Sequence, residues 1–385
     1  MRIVDIRTRT VAISRYADLA IPSGGLDTTL VAAVASERGG GKPLIGFGFA
    51  SIGRYAQTGL IRERFAPRLL AATEQELCGE AAGFDPLRAW DCMMRGEKPG
   101  GHGERSVAVG ALDMALWDLA AKQAGTPLAW LLAQRFGGGL LPGTVAVYAA
   151  GGYAYPDDDL ARLAQEVEGY LGCGYTRVKI KIGAHTIAQD AARIEQVLSL
   201  LPDAGCLAVD AMNRYTREEA ILAADTFSRY GLGWFEDFCD PLDYETHAQV
   251  ARRYPHPLAA GEALFSAADA RNLALYAGLR PARDVLLFDP AHCYGLTGYL
   301  RIIGEMESAG WRRSAFWPHG GHLFSLHVAA GLGLGGSESN PYIFQPFGGL
   351  PDGASVFDGR TGLPSVAGIG FESRDALAQL FQSLL

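Results

Sequence analysis

Short apolar stretches in the second half of the chain each end in a charged side chain. Asp210, Glu236 and Glu262 end three of these stretches, and 26 residues separate each from the next. A strand, a helix and their loops consume about that many residues in a repeating βα unit. The pattern therefore predicts successive units with a polar group at the carboxyl end of each strand. Further units carry their charged groups in the same position: Lys179 with Lys181, then Asp289, then His319.

These strand positions predict an α/β fold in which parallel strands close into a TIM-like barrel. The loops that follow the strands of such a barrel share one rim, so the polar groups of all the units would meet there. We expect the active site at that rim. Apolar runs place seven strands, and the eighth is expected near the glycine-rich stretch 331–336. The seven lie near Val147, Ile180, Ala208, Trp234, Ala259, Leu287 and Phe316.

The beginning of the chain has a different pattern, with strands first and helices afterwards. Alternating apolar residues predict strands at 3–13, 30–35 and 44–49. Helical periodicity is strongest at 106–124, and Gly125 supplies a stop for that helix. This order of elements is typical of an α+β domain.

The length of 385 residues exceeds one typical domain and suits a barrel with a smaller partner. We predict the α+β domain at 1–130 and the barrel at 131–340. Residues 341–385 contain many prolines and glycines, and we predict loops and a return segment there.

Composition and charge exclude several classes of function. A net charge of −8 without a basic cluster argues against nucleic acid as a partner. We find neither a signal peptide nor an apolar run long enough for a membrane span, and six scattered cysteines suggest free thiols in the cytoplasm. The stretch 331–336 matches G-x-G-x-x-G, but no strand precedes it and no helix follows, so we discard dinucleotide binding.

The three carboxylates of Asp210, Glu236 and Glu262 suit a hard, oxygen-seeking cation such as Mg²⁺. The alternative is that each acid merely caps the helix that follows it. Equal spacing in three successive units favours the metal.

Lys179 and Lys181 stand two apart on one strand, so their side chains point to the same side. They either face solvent as an outer pair or point into the barrel. If they point inward, mutual repulsion and a neighbouring metal could leave one of them neutral enough to act as a base.

Asp289 and His319 end adjacent predicted strands, and an aspartate beside a histidine fixes its tautomer and supports its charged form. This pair would suit a general acid. The alternative is a structural histidine, since His322 and His327 lie close by and the three cannot all be catalytic.

Taken together, Lys-x-Lys on one strand, three acids ending the next three strands, and a later Asp and His resemble the mandelate racemase branch of the enolase superfamily. The likeness extends over the whole chain and is closest to the tartrate dehydratases of that branch. Stretches that carry this closer likeness include Gly53-Arg54-Tyr55, residues 97–105, residues 240–244 and Pro318-His319-Gly320-Gly321-His322.

The resemblance implies a (β/α)₇β barrel under an N-terminal capping domain, with residues 341–385 completing that domain. It implies Mg²⁺ bound by the three acids and an enolate formed from a substrate carboxylate. Lys181 would be the base, with Lys179 tuning it and touching the carboxylate. His319, oriented by Asp289, would protonate a departing β-hydroxyl, giving a 2-keto acid.

The resemblance also implies substrate contacts outside the barrel strands. Glu338 would hydrogen-bond the substrate carboxylate. Loops near 18–26 and 52–57, including Arg54 and Tyr55, would close over the substrate, and Lys98 is a candidate partner for a second carboxylate. The family also implies a homo-oligomer.

The sequence departs from the family pattern at one position beside the metal ligands. The family usually has Asp-x-Asn at the end of the strand that carries Asp210. Here Met212 stands where that asparagine is expected, and Asn213 follows one position later. The main hypothesis is a Mg²⁺-dependent dehydratase of a small hydroxylated acid, tartrate or a related sugar acid. The alternatives are a racemase or epimerase that uses the same groups, and a non-catalytic relative that only binds a ligand.

Overall fold

The computed structural model describes residues 1–50, 57–79 and 83–385, apart from the side chain of Arg38. Its N-terminal domain begins with an antiparallel sheet in the order β1-β2-β3, formed by Ile3–Ala12, Asp27–Gly39 and Lys42–Phe49. Helices follow, and a π-helical turn at Ile61–Phe65 joins the first two. They are α1 (Gln57–Leu60), α2 (Ala66–Ala71), α3 (Glu74–Leu77), α4 (Pro86–Met94) and α5 (Glu104–Gln123).

Helix α5 is the centre of this domain, and it is buried on every side rather than on one face. All residues from Ser106 to Ala121 are buried. Glycines allow its backbone to approach both neighbours: a Cβ at Gly48 would lie 2.3 Å from the Ala111 carbonyl oxygen, and one at Gly110 would lie 2.0 Å from that of Ala291. The helix therefore packs tightly between the sheet and the barrel.

The barrel confirms the predicted alternation of strands and helices. Its strands run parallel in the order β4-β5-β6-β7-β8-β9, and short 3₁₀ turns lie at Ala204–Cys206 and Arg313–Ala315. The strands are β4 (Val145–Gly151), β5 (Val178–Lys181), β6 (Leu207–Asp210), β7 (Trp234–Glu236), β8 (Leu258–Ala260), β9 (Val285–Leu286) and β10 (Ser337–Ser339). The helices are α6 (Leu128–Phe136), α7 (Asp159–Gly172), α8 (Ile187–Leu198), α9 (Arg217–Phe227), α10 (Tyr244–Arg253), α11 (Ala267–Tyr276), α12 (Gly295–Ser308) and α13 (Leu323–Leu332).

Two short pieces of backbone close the barrel. Phe316 forms a parallel bridge with Leu286 of β9, and its carbonyl oxygen accepts a hydrogen bond from Gly335 at 3.0 Å. Strand β10 then pairs in parallel with β4. The eighth strand thus lies directly after the glycine-rich stretch, where the sequence placed it.

The C-terminal segment contacts both domains. The hairpin of β11 (Val356–Phe357) and β12 (Arg360–Thr361) pairs with the start of β4, and a 3₁₀ turn at Phe371–Ser373 precedes α14 (Asp375–Gln382). Phe381 of α14 stacks on Phe47 of β3 with ring centroids 4.7 Å apart. The domain boundaries drawn from the sequence remain predictions.

All six cysteines are free thiols. Across the described residues, each helix is too short or too polar to cross a lipid bilayer.

A buried carboxylate of the N-terminal domain caps a helix of the barrel. Tyr294, which precedes α12, has φ 60° and contributes no side-chain cap. Asp113 of α5 takes that role instead: it accepts hydrogen bonds from the Thr297 backbone N–H at 3.1 Å and the Thr297 hydroxyl at 2.9 Å. The two domains are therefore joined by a helix cap as well as by apolar packing.

We expect Asp113→Ala to lower the free energy of unfolding by about 1–3 kcal/mol, because it leaves the first turn of α12 without its buried acceptor. Asp91→Ala is the matched control, since Asp91 also reaches α12 through Arg301, but with both side chains exposed (70% and 53%). That change is expected to stay below about 0.5 kcal/mol. Denaturant unfolding measures both, and equal effects would contradict the capping role.

Candidate active site

Strand register places the predicted catalytic and metal-binding side chains next to one another. Lys181 of β5 pairs with Asp210 of β6, which pairs with Glu236 of β7. Lys181 donates from Nζ to Asp210 Oδ2. Lys179, two residues earlier, lies one layer deeper, and its Nζ is 2.6 Å from Glu236 Oε1 and 2.7 Å from Glu338 Oε2. Both lysines are buried inside the barrel, so the outer, solvent-facing arrangement is excluded.

The side chains that surround Lys179 inside the barrel are aromatic on some strands and small on others. The Tyr148 ring centroid is 5.6 Å from Lys179 Nζ, and the Tyr148 hydroxyl donates to Glu338 at 2.8 Å. Small residues occupy this layer on other strands: Ala208 of β6 pairs with Lys179 of β5 and with Trp234 of β7. The residues of this interior cluster are Tyr148, Ala150, Ala208, Trp234, Ala259, Leu287 and Trp317.

Three acids converge on one point. Asp210 ends β6, Glu236 ends β7, and Glu262 lies in the loop after β8. One carboxylate oxygen from each of Asp210, Glu236 and Glu262 lies within 4.8 Å of the others. Asp210 and Glu236 are buried, whereas the Glu262 side chain is 25% exposed. Three oxygen ligands from one side, with an open side toward the cavity, fit a hard divalent cation such as Mg²⁺.

The alternative that these acids cap the following helices does not hold. Helix α9 is capped by Thr216, α10 by Asp243 and α11 by Ser266. The acids at the strand ends are therefore free to face the cavity.

Negative charge is in excess around the three acids. Burial and the nearby carboxylates raise the pKa of Glu236 well above its usual value, although Lys179 opposes this. Asp237 follows Glu236 and is also buried, and burial together with Glu262 and Asp210 raises its pKa as well. A bound cation would offset this repulsion, which is a second reason why the residues fit one.

The carboxylates also outweigh the repulsion between the two lysines. Burial favours neutral amines, but Glu236 and Glu338 raise the pKa of Lys179, and Asp210 raises that of Lys181. Without a bound cation, mutual repulsion therefore does not leave a lysine neutral, because each ammonium has carboxylate partners at contact distance. A cation held by the same acids would compensate their charge and favour a neutral amine, so the expectation of a neutral lysine stays a prediction.

Asp289 and His319 form the expected pair. His319 Nδ1 lies 2.9 Å from Asp289 Oδ2, and its Nε2 faces the cavity, 3.4 Å from Glu262 and 4.0 Å from Glu338. Burial opposes protonation, but Glu262, Glu338 and Asp289 together raise the pKa of His319 to about 10. The ring therefore holds a proton on the side that faces the cavity.

The two alternative histidines named from the sequence, His322 and His327, make structural contacts. His322 accepts a hydrogen bond from Ser325 N–H at the start of α13, and His327 bridges the backbone of Ala129 and Ile369. Burial lowers the pKa of both rings to about 4. Of these three histidines, His319 alone has a raised pKa, because carboxylates surround its ring.

Glu338 lies on β10 between the lysine and the histidine. Burial raises its pKa, but Lys179 and His319 lower it to about 2. It is therefore a fixed negative charge that holds both cations in place.

These groups surround a cavity of about 210 Å³ at the barrel mouth. The N-terminal domain and the C-terminal segment contribute to its lining as well as the barrel. The lining residues are Arg15, Leu26, Ala150, Tyr153, Lys181, Asp210, Met212, Asn213, Glu262, His319, Glu338, Asn340, Ile343 and Phe344.

Two of the predicted substrate contacts cannot be placed, and a third lies elsewhere. Arg54 and Tyr55 fall outside the described residues. Lys98 lines a separate cavity between α4 and α12, with His102 and Tyr294, so the structure does not bring it to the acids. Its backbone carbonyl accepts from Arg105, which fixes this stretch at the start of α5.

The turn after Asp210 shows how the chain accommodates Met212. Met212 and Asn213 both have positive φ, at 52° and 57°. This tight turn lets the Asn213 backbone N–H donate to the Asp237 carbonyl at 2.6 Å, and it brings the Asn213 side chain to the cavity. An asparagine therefore lines the site one position later than the family pattern places it.

Comparison with known proteins agrees with this architecture. Residues 159–377, more than half of the chain, match the family described as Enolase C-terminal domain-like. Residues 51–133 match the Mandelate racemase / muconate lactonizing enzyme, N-terminal domain.

Curated relatives include two sugar-acid dehydratases. L-talarate/galactarate dehydratase of Salmonella typhimurium is 30% identical over 280 residues, which are 72% of this chain and 66% of that enzyme. Arabinonate dehydratase of Saccharolobus solfataricus is 25% identical over 304 residues, which are 76% of this chain and 77% of that enzyme. The chain thus spans about two thirds to three quarters of these relatives.

Solved structures are similar over nearly the whole length. L-talarate dehydratase from Polaromonas sp. JS666, complexed with Mg and L-glucarate, is 27% identical with a TM-score of 0.75, covering 96% of this chain and 94% of that one. A member of the enolase superfamily from the same organism is 25% identical with a TM-score of 0.78, covering 99% and 97%. Both family matches, the barrel and the structural similarities show that the chain belongs to the enolase superfamily, in its mandelate racemase branch.

Proposed function

We propose that the protein is a Mg²⁺-dependent dehydratase that converts a small hydroxylated acid, a sugar acid or a diacid such as tartrate, to a 2-keto acid. The observation that carries the proposal is one cavity lined by Lys181, Asp210, Glu262 and His319. Glu236 converges with the two acids, and Asp289 pairs with the histidine. The dehydratase activity of the relatives supports it, as does the structure of one relative with Mg and L-glucarate.

Asp210, Glu236 and Glu262 would hold the cation, because their oxygens converge and negative charge is in excess around them. When bound there, Mg²⁺ supplies charge that offsets the negative charge developing on the substrate carboxylate as the α-proton leaves.

Lys181 would accept the α-proton at Nζ, since it reaches the cavity and Lys179 lies one layer deeper. Lys179 and Glu338 form an ion pair at the bottom of the site. Glu338 can accept a hydrogen bond from a protonated or hydroxylated substrate group. His319 would donate its Nε2 proton to the β-hydroxyl, which leaves as water. The enol that remains tautomerises to the 2-keto acid, so protons and oxygen balance.

Turnover of a panel of sugar acids tests the reaction and the metal together. We expect one or a few acids, among them tartrate enantiomers, galactarate and glucarate, to give a keto acid with Mg²⁺. Excess chelator should abolish the product, and added Mg²⁺ should restore it. Glu262→Gln should raise the Mg²⁺ concentration needed. Product formation that is indifferent to the chelator would contradict the metal, and α-proton exchange without keto acid would indicate racemisation instead.

Lys181→Ala should remove the base. We expect keto-acid formation and exchange of the substrate α-proton with deuterated solvent both to fall by about 10²- to 10⁴-fold. Lys42→Ala, on the exposed end of β3, removes the same charge away from the site and should leave both rates unchanged. Retained exchange in Lys181→Ala would assign the proton abstraction to another group.

His319→Asn should separate the two halves of the reaction. Because Lys181 remains, the α-proton should still exchange. Dehydration should fall by about 10²- to 10⁴-fold, because no group protonates the departing β-hydroxyl. His256→Asn, at a partly exposed loop position between α10 and β8, serves as the control. If exchange is lost together with dehydration, His319 is not confined to the leaving-group step.

A further inference from the structure

A segment of the N-terminal domain, residues 14–18, folds over the barrel mouth and is fixed at several points. The Ser14 carbonyl accepts from Phe344 N–H at 2.9 Å. The Tyr16 hydroxyl donates to the Ala154 carbonyl at 2.9 Å. Asp18 pairs with Arg162 of α7 at 3.1 Å. These contacts join the segment to both the start of α7 and the C-terminal segment.

Arg15 lies inside this fixed segment, and its side chain enters the cavity. Its backbone N–H donates to the Ser23 hydroxyl at 3.1 Å, so the loop itself holds it. Its guanidinium carbon lies 5.5 Å from the centroid of the Tyr153 ring. The Nε atom is buried and has no hydrogen-bond partner among the described residues. An arginine that is held in place, stacked and left unpaired is prepared to bind an anion.

The same tyrosine links Arg15 to the proposed base. Lys181 Nζ lies 5.6 Å from the Tyr153 ring centroid, close to the distance of the Arg15 guanidinium. The two cations therefore border one continuous space, and one small ligand can span it. One end of that ligand would meet the acids and lysines, and the other end would meet Arg15.

Acceptor groups also line the cavity. The side-chain carbonyl oxygens of Asn213 and Asn340 are buried and accept no hydrogen bond within the described part of the chain. Unpaired buried acceptors of this kind suit the hydroxyl groups of a polyhydroxylated chain.

We infer that Arg15 binds the second carboxylate of the substrate, and that the protein acts on dicarboxylic hydroxy acids in preference to acids with a single carboxylate. This inference rests on the proposed function and specifies its substrate class. It also replaces Lys98, which lies in a different cavity, as the partner of the far carboxylate.

Charge pairing gives the physical reason for the preference. A second carboxylate can accept two parallel hydrogen bonds from the guanidinium, whereas a terminal CH₂OH group leaves the cation without a counter-charge in a half-buried site. Sequence similarity does not decide between the two classes, because galactarate carries two carboxylates and arabinonate carries one, and dehydratases named for both are relatives.

The test compares acids that differ at the far end alone, with Mg²⁺ present. The pairs are galactarate with galactonate, glucarate with gluconate, and tartrate with threonate. We expect kcat/KM for the accepted diacid to exceed that of its monoacid partner by about 10- to 100-fold. Arg15→Met should reduce turnover of the diacid by a similar factor and that of the monoacid by much less. Arg15→Lys, which keeps the charge and loses the planar fork, should fall between them.

Arg9→Met is the matched control, because Arg9 is exposed on β1 of the same domain and its loss changes the net charge equally. It should leave the preference intact, and thermal unfolding of each variant checks that the fold is retained. Equal turnover of diacid and monoacid by the unaltered protein would overturn the inference, as would equal loss of both in Arg15→Met.

A binding experiment separates failure of the inference from failure of the proposed function. In Lys181→Ala with Mg²⁺, calorimetry measures the affinity for each diacid and monoacid without turnover. A preference for a diacid that disappears in Lys181→Ala/Arg15→Met supports the role of Arg15 even if no acid of the panel is dehydrated. Dehydration of an acid without any such preference would leave the proposed function standing and overturn the inference.

Discussion

Negative charge concentrated in a buried space determines how the barrel mouth is built. Six carboxylates lie there, and the ammonium groups of Lys179 and Lys181 and the ring of His319 lie among them. Burying this many like charges is costly unless each one has a counter-charge or a hydrogen-bond donor. The six belong to Asp210, Glu236, Asp237, Glu262, Asp289 and Glu338.

The pairing of these charges follows from strand register rather than from loop conformation. Because Lys181, Asp210 and Glu236 are direct neighbours on β5, β6 and β7, their separation is set by the spacing of parallel strands. Lys179 reaches Glu236 and Glu338 from the layer below, where aromatic rings restrict it. The rigid part of the protein thus holds the groups whose positions the chemistry requires, and the loops are free to vary.

The same division explains what the sequence could and could not predict. Polar groups at strand ends are visible in the sequence because a buried parallel strand has few other reasons to end in Asp, Glu or Lys. The barrel and the convergence of the acids follow from that pattern, and the structure brings the acids together. The eighth strand was expected only near the glycine-rich stretch 331–336, and the structure has it at Ser337–Ser339. The pKa directions of the lysines could not be predicted, because they depend on how many carboxylates lie around each ammonium.

Which residues of the N-terminal domain reach the barrel mouth was harder to predict, because this also depends on contacts between distant parts of the chain. Lys98 and Arg15 are both cations in loops of the N-terminal domain, and nothing in their local sequence tells which one reaches the barrel mouth. The choice depends on docking contacts made far along the chain, by Phe344 to Ser14 and by Arg162 to Asp18. Periodicity predicted α5 itself but not its orientation, since a helix enclosed between a sheet and a barrel has no polar face.

The histidines show that local sequence and electrostatics have to be considered together. His319 and His322 are three residues apart and both buried, yet carboxylates raise the pKa of the first to about 10 and burial lowers that of the second to about 4. The difference arises because His319 projects its Nε2 toward Glu262 and Glu338, whereas His322 packs edge-on against Phe49 with ring centroids 5.0 Å apart. A proton is therefore held at the ring that faces the cavity and kept from the ring that supports the capping domain. The charge on His319 is therefore a property of the surrounding carboxylates, and the histidine supplies the group that they charge.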